Sequence, residues 1–268
     1  MSAHRIHPAA WILWATCAGT VALTTTNALY LGLLVAVAWF VYAAQRVPGP
    51  VGRSFRTFAI AGAVTIVFRT ALVFLGTVDA GAVAYAAFEG ARLAALLIVF
   101  GTFNAVTDPF GVVRLAPRRF HEPALAAALA LSIAPRTISM VGRVREAQRL
   151  RGLSTSRWRA LPALAVPVLE TGMEEALILA ESMDARGHGR GRRTRYRPER
   201  WTAAAFATAS AAVVAAAAFV TASRTDRGGL HPSTTPLAWP GADPRLLAAL
   251  LLLALPGLLP RPAGEDPA

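Results

Sequence analysis

Six stretches of the chain, residues 9–24, 28–44, 57–78, 82–106, 202–222 and 246–259, are almost free of charge. Most of them reach the ~20 apolar residues that a helix needs to cross a bilayer, while the first two and the last are short enough to require thin or tilted packing. Within hydrocarbon, a chain that satisfies its backbone segment by segment must be helical. The expected fold is therefore all-α: a polytopic α-helical integral membrane protein of about six spans. The 268 residues, 55% of them hydrophobic, would suffice for a soluble core, but their arrangement in long blocks points to lipid.

The net charge of +12 comes from arginine, because the sequence contains no lysine. A P-loop ATPase needs the Lys of its phosphate-binding motif to reach the nucleotide, so ATP hydrolysis by this chain alone is excluded. Cys17 is the single cysteine and lies in the first apolar block, which excludes an internal disulfide or a cysteine metal site. Arg5 precedes that block and no small-residue cleavage site in a polar stretch follows it, so it reads as a retained first span.

Charge between the blocks orients them. Thr24-Thr25-Thr26-Asn27 separates the first two, and Asn27 suits the N-cap of a returning helix, so 9–44 should form a tight helical hairpin. Arg46, Arg53 and Arg56 surround Pro48-Gly49-Pro50, which places that loop and the N-terminus in the cytoplasm by the positive-inside rule. Asp79 is the only charge between the third and fourth blocks, as suits an outer loop. Arg69, Glu89 and Arg92 lie inside those two blocks at similar depth. An ion in hydrocarbon costs roughly 3 kcal/mol or more, so the three should pair with one another. Their readings are a structural ion cluster or a contact with a partner in the membrane. The Pro-, Gly-, Ser- and Thr-rich stretch 223–245 reads as an unstructured outer connection.

After Asp108 the composition changes. Residues 108–200 hold 17 arginines and 9 acids, against 10 and 6 in the remainder. The chain thus divides into N-terminal membrane helices (1–107, about four spans), a charged region (108–200) and C-terminal membrane helices (201–268, about two spans). The segment 123–141 is apolar enough for another span, but Pro135 and Arg136 interrupt it. A single crossing there would put Arg143, Arg145, Arg149, Arg151, Arg157 and Arg159 outside. Keeping 108–200 wholly cytoplasmic, as long amphipathic helices along the inner membrane face, leaves every Arg-dense stretch on one side and both termini inside.

Two helices in this region close on Arg-Gly, at Arg151-Gly152 and at Ala185-Arg186-Gly187, with the arginines 35 positions apart. Gly adopts the left-handed conformation that follows a helix, and an Arg in the last turn faces the negative end of the dipole, so both side chains should project from helix tips. On the second helix, Glu170, Glu174, Glu181 and Asp184 fall within about 80° of arc and form one acidic stripe. Arg136, Arg143 and Arg151 share a face of the first helix, so the stripes can pair where the helices cross. Gly187 to Arg200 is basic with one aromatic and precedes a span, which suits lipid headgroups better than nucleic acid.

These residues support a family. The chain resembles the T component of energy-coupling-factor (ECF) transporters, the CbiQ/BioN/EcfT-like transmembrane proteins, over about residues 8–222. The motifs are Thr25-Thr26-Asn27 with Leu29-Tyr30-Leu31; Arg145-Glu146-Ala147-Gln148-Arg149-Leu150-Arg151-Gly152; Leu161-Pro162 and Val166-Pro167; Met183-Asp184-Ala185-Arg186-Gly187; and Arg193-Thr194-Arg195-Tyr196. The resemblance implies a scaffold and not an enzyme, one that couples two P-loop ATPase subunits, or one fused ATPase, to a substrate-capturing S component in a bacterial-type plasma membrane. The cargo would be a vitamin, a vitamin precursor, or cobalt or nickel. The chain itself would bind no cofactor, since ATP is hydrolysed by the partners.

By the same resemblance Arg151, Gly152, Ala185, Arg186 and Gly187 dock the ATPases, with Arg143, Arg145, Glu146, Arg149, Glu170, Glu174, Glu181 and Asp184 supporting the coupling helices. Leu150 departs from the small residue common before the first Arg, and Ala28 stands where Pro is common after Asn27. A membrane enzyme of the CDP-alcohol phosphotransferase type is the alternative, but such chemistry needs several Asp at helical spacing around a divalent metal, and Asp184 stands alone before Ala185-Arg186.

Overall fold

The computed structural model describes residues 6–45, 51–74, 79–152, 161–188, 201–225, 229–231 and 241–259. They form helices, with no strand among the described residues: α1 (Pro8–Thr24), α2 (Ala28–Gln45), α3 (Val51–Val73), α4 (Ala80–Val106), α5 (Pro109–Arg114), a 3-10 turn (Arg118–Phe120), α6 (His121–Leu150), α7 (Leu161–Ala185), α8 (Ala203–Arg224), α9 (Pro244–Leu252) and α10 (Leu255–Leu258). Two compact units result, Met1–Val112 with Glu199–Ala268, and Val113–Pro198. The chain is a multi-pass membrane protein. Helices Ala28–Gln45, Ser54–Val73, Ala80–Val106, Glu122–Leu150 and Ala203–Arg224 are each long and apolar enough to cross a membrane.

Helix ends in the first unit follow local chemistry. His7 Nδ1 accepts from the Ala9 N–H at 3.2 Å and Pro8 supplies the first helical φ of α1. Asn27 Oδ1 accepts from the Leu29 N–H at 2.9 Å to cap α2, while Asp79, Thr202 and Asp243 cap α4, α8 and α9 in the same way.

Contacts near each end give the helix directions. His7 stacks on Trp201 with centroids 4.8 Å apart, so α1 and α8 start together and run parallel. Thr102 donates to the Ala38 carbonyl at 3.2 Å, late in both α4 and α2, which makes those two parallel. Between α3 and α4, Asn104 meets Ser54 at one end and Glu89 approaches Arg69 at the other, so that pair is antiparallel. The start of α1, the ends of α2 and α4 and the start of α8 thus lie at one end of the bundle, here the base end. The chain leaves this unit after α4 and re-enters before α8 at the same end. The α1–α2 turn lies at the other, hairpin end.

The last apolar block is not one helix. Pro256 has no N–H for the carbonyl four residues back, and α9 and α10 are separated by tight turns, Leu253 N–H to Leu250 and Ala254 N–H to Leu251. The Trp14 indole N–H donates to the Leu253 carbonyl at this break, at 3.0 Å. The block nevertheless runs the whole length of α2. The Asp243 N–H donates to the Tyr30 hydroxyl at 2.7 Å at one end, and Gln45 Nε2 donates to the Pro256 and Leu259 carbonyls at 2.8 and 3.0 Å at the other.

The core of this unit lies among α1, α2, α4, α8 and α9, where Trp14, Tyr30, Leu31, Leu34, Phe219 and Leu250 are fully buried. Tyr30 and Phe219 meet edge to face at 5.4 Å. At the base end Trp39, Tyr42 and Phe55 cluster, with Tyr42 and Phe55 stacked at 3.8 Å, in the manner of an interfacial aromatic belt.

Two sequence expectations are corrected here. The connection 223–245 is not unstructured at its described ends. Asn27 Nδ2 donates to both the Gly229 and Gly241 carbonyls at 2.7 Å, and Thr25 Oγ1 donates to the Leu230 carbonyl at 2.9 Å. Gly229 has φ +60°, and a Cβ there would stand 2.9 Å from the Gly241 carbonyl oxygen, so the clasp requires glycine. In the second unit, Pro135 does not interrupt α6, which runs unbroken for 30 residues. Ser132, Thr137 and Ser139 flank the proline and donate to the Leu129, Ile133 and Arg136 carbonyls, one turn back on the same helix.

Candidate functional site

The two arginine tips share one geometry. α6 ends at Leu150, and Gly152 follows with φ +77° while its N–H donates to the Arg149 carbonyl at 3.0 Å. α7 ends at Ala185, and Gly187 follows with φ +76° while its N–H donates to the Asp184 carbonyl at 2.8 Å. The His188 N–H then closes on the Met183 carbonyl at 3.0 Å, completing a Schellman cap. In each tip the Arg precedes the glycine and is exposed, as is Ala185. Neither Arg151 nor Arg186 forms an ion pair among the described residues. Each guanidinium stands at the negative end of a helix dipole.

Behind the tips are two long struts. α6 extends about 45 Å and α7 about 37 Å at 1.5 Å per residue. They pack on each other through one face, where Met140 and Leu164 are buried. Arg143, Arg145, Glu146 and Arg149 are exposed on α6, as are Glu170, Glu174, Glu181 and Asp184 on α7. The two stripes are not joined: no ion pair links Arg136, Arg143 or Arg151 to Glu170, Glu174 or Glu181 among the described residues, and Arg143 instead approaches Ser139 at 3.4 Å.

An apolar strip on α7 escaped the sequence reading. Val166, Leu169, Met173 and Leu177 lie on one face beside the acidic stripe and are 63–67% exposed. Their i, i+3, i+7, i+11 spacing was the available signal, masked by the overall apolarity of the segment.

Glu89 sits between its two expected partners. Its Oε1 accepts from Arg92 Nη1 at 3.1 Å, and its Oε2 lies 4.0 Å from Arg69 Nη2. Arg92 Nη2 also donates to the Leu23 carbonyl at 2.5 Å, in the last turn of α1, where helix carbonyls lack intrahelical partners. This contact puts the cluster level with the α1–α2 turn. Residues 46–50, 153–160 and 189–200, with their arginine clusters, lie outside the described residues.

No protein-family model matches the chain. Over 101 residues it is 35% identical to the energy-coupling factor transporter transmembrane protein EcfT of Exiguobacterium sibiricum, a match covering 35% of this chain and 37% of that protein. The chain thus matches little more than a third of that relative, a narrower stretch than the motifs between residues 8 and 222 span. The likeness is to a membrane component of a transporter rather than to an enzyme.

Proposed function

We propose that this chain is the transmembrane coupling subunit of an ECF-type importer, in which Arg151 and Arg186 each dock one ATPase subunit, or one half of a fused ATPase, and α6 and α7 carry the resulting motion to a membrane S component. The observation that supports this best is the repeated tip: two long helices, each followed by an exposed arginine and a left-handed glycine. A coupling element has to transmit a rigid-body change without bending, and stiff helices with charged ends suit that task. The partial likeness to EcfT supports the same reading.

The bundle supports a topology. Because the chain leaves and re-enters the membrane unit at one end, the intervening residues cross the bilayer an even number of times. α6 is apolar enough to cross, whereas α7 carries Glu170, Glu174, Glu175, Glu181 and Asp184 and is not. We therefore place 108–200 wholly in the cytoplasm, the side that the arginines around residues 46–56 mark by the positive-inside rule. Cysteines at positions 155 and 190 should label only from the cytoplasm, and labelling of 155 from outside would contradict this.

Purification through a tag on this chain, with mass spectrometry of what accompanies it, tests the reading. It should recover P-loop ATPases and a second small membrane protein, and ATP hydrolysis should appear only in that complex. ATP hydrolysis by the purified chain alone, or recovery without any ATPase, would contradict the assignment.

A further inference from the structure

The surface between α1 and α3 carries a feature the coupling role does not use. Both helices pack on α4 from different sides: Gly90, Ala94 and Gly101 meet α3, while Arg92 and Leu96 meet α1 at Leu23 and Gly19. Between these sides, Glu89, Leu93 and Phe100 fall within about 40° of arc at 100° per residue, and Tyr85 lies one turn before Glu89. Tyr85, Leu93 and Phe100 are 54%, 40% and 48% exposed, so α4 floors an open apolar groove with Glu89 and its arginines across it.

The charges in that cluster do not cancel. Arg92 reaches Glu89 with Nη1 at 3.1 Å and the Leu23 carbonyl with Nη2 at 2.5 Å, while its Nε, like that of Arg69, has no hydrogen-bond partner among the described residues. Arg69 approaches Glu89 only to 4.0 Å, beyond hydrogen-bond distance, with its side chain 42% exposed. Its Nε has no hydrogen-bond partner among the described residues. One positive charge is left over, at the mouth of an apolar groove.

Depth identifies what would fill it. α1 and α2 are 17 and 18 residues long, about 26 Å of helix, close to the ~30 Å of bilayer hydrocarbon. The α1–α2 turn, and the cluster level with it, therefore lie where hydrocarbon meets headgroups. We propose that this groove binds one anionic phospholipid at the hairpin end, its phosphate on Arg69 and its alkyl chains along Leu93 and Phe100 toward the base end. A single such molecule supplies the missing negative charge at that level and the apolar cover below it. An acidic residue on a partner helix is the competing occupant.

The test uses the full chain, purified in detergent and titrated with phosphatidylglycerol or phosphatidylcholine, with retained lipid counted by native mass spectrometry. Wild type should hold one phosphatidylglycerol in preference to phosphatidylcholine. Arg69→Gln should weaken phosphatidylglycerol about tenfold, the loss expected for a charge-assisted hydrogen bond, and abolish the preference. Leu93→Trp leaves the ions in place but fills the groove, and should weaken both lipids; it decides the matter alone if Arg69→Gln does not fold. Arg224→Gln, at the same end on α8, should change nothing. Unchanged phosphatidylglycerol retention in Arg69→Gln and Leu93→Trp would overturn the proposal. The same result with loss of a co-purifying membrane protein in Arg69→Gln would overturn it in favour of a partner helix.

Discussion

The membrane bundle buries Trp14, Tyr30, Phe219 and Leu250 completely, whereas in the α6–α7 unit Met140 and Leu164 are the buried apolar side chains among the described residues. Both units are built of long helices, but the bundle also fastens its ends with polar contacts: the Asn27 clasp at the hairpin end, and Gln45 on the Pro256 and Leu259 carbonyls at the base end. A unit whose apolar side chains are satisfied internally is a frame. One that leaves Val166, Leu169, Met173 and Leu177 exposed beside a row of acids presents a surface to something else.

If that contrast is right, substitutions in the bundle should show in stability and substitutions in the coupling pair should show in assembly. Asn27→Ala should be the most damaging, because it uncaps α2 and leaves the Gly229 and Gly241 carbonyls without their donor, costing about 3 kcal/mol. Thermal unfolding in detergent reads this as a clear fall in midpoint, and an unchanged midpoint would mean that the clasp contributes no stability. Trp14→Phe keeps the ring volume nearly intact but leaves the Leu253 carbonyl unsatisfied at the α9–α10 break, for about 1–2 kcal/mol in the same assay.

Smaller effects are expected in the other unit. Gly187→Ala forces a Cβ onto a residue at φ +76°, at roughly 1 kcal/mol, and should fray the α7 tip without lowering the unfolding midpoint of the bundle. Hydrogen exchange at His188, whose N–H closes the cap, would register the change. The double substitution Leu169→Ser with Leu177→Ser should alter stability by less than about 0.5 kcal/mol, since both side chains are exposed, yet reduce recovery of membrane partners. A large loss of stability there would show that the strip is covered within this chain.

Local signals carried most of the fold. The charge-free blocks matched α1, α2, α4 and α8 to within two residues at each end, and the Arg-Gly pairs foretold the left-handed glycines at 152 and 187. What could not be read was non-local. Asn27 meets Gly229 and Gly241 across 202 and 214 residues, and nothing in the intervening stretch marks the partner. Pro135 and Pro256 show why a proline rule misleads in single-sequence reading. Around the first the helix runs on unbroken, and at the second it breaks into two short helices. The ionic cluster was legible as a group, but its contact with the Leu23 carbonyl was not, because that depends on where α1 ends beside α4.

The central claim is that Arg151 and Arg186 are the points at which the ATPases attach, and recovery of ATPase subunits on the tagged chain tests it most directly. Arg151→Glu and Arg186→Glu each place a negative group at the negative end of a helix dipole, against a site that receives a cation. Truncating one partner of such an interfacial contact typically costs about 2–5 kcal/mol, so each single change should lower recovery and the double change should nearly abolish it. The Arg186 change should be the more severe, because Leu150 makes the first tip the less typical one. Arg192→Glu serves as a bulk-charge control and should have little effect, while substrate capture by the S component should survive the double change. Wild-type recovery of the ATPases by the double variant, or an equal loss with Arg192→Glu, would contradict the account.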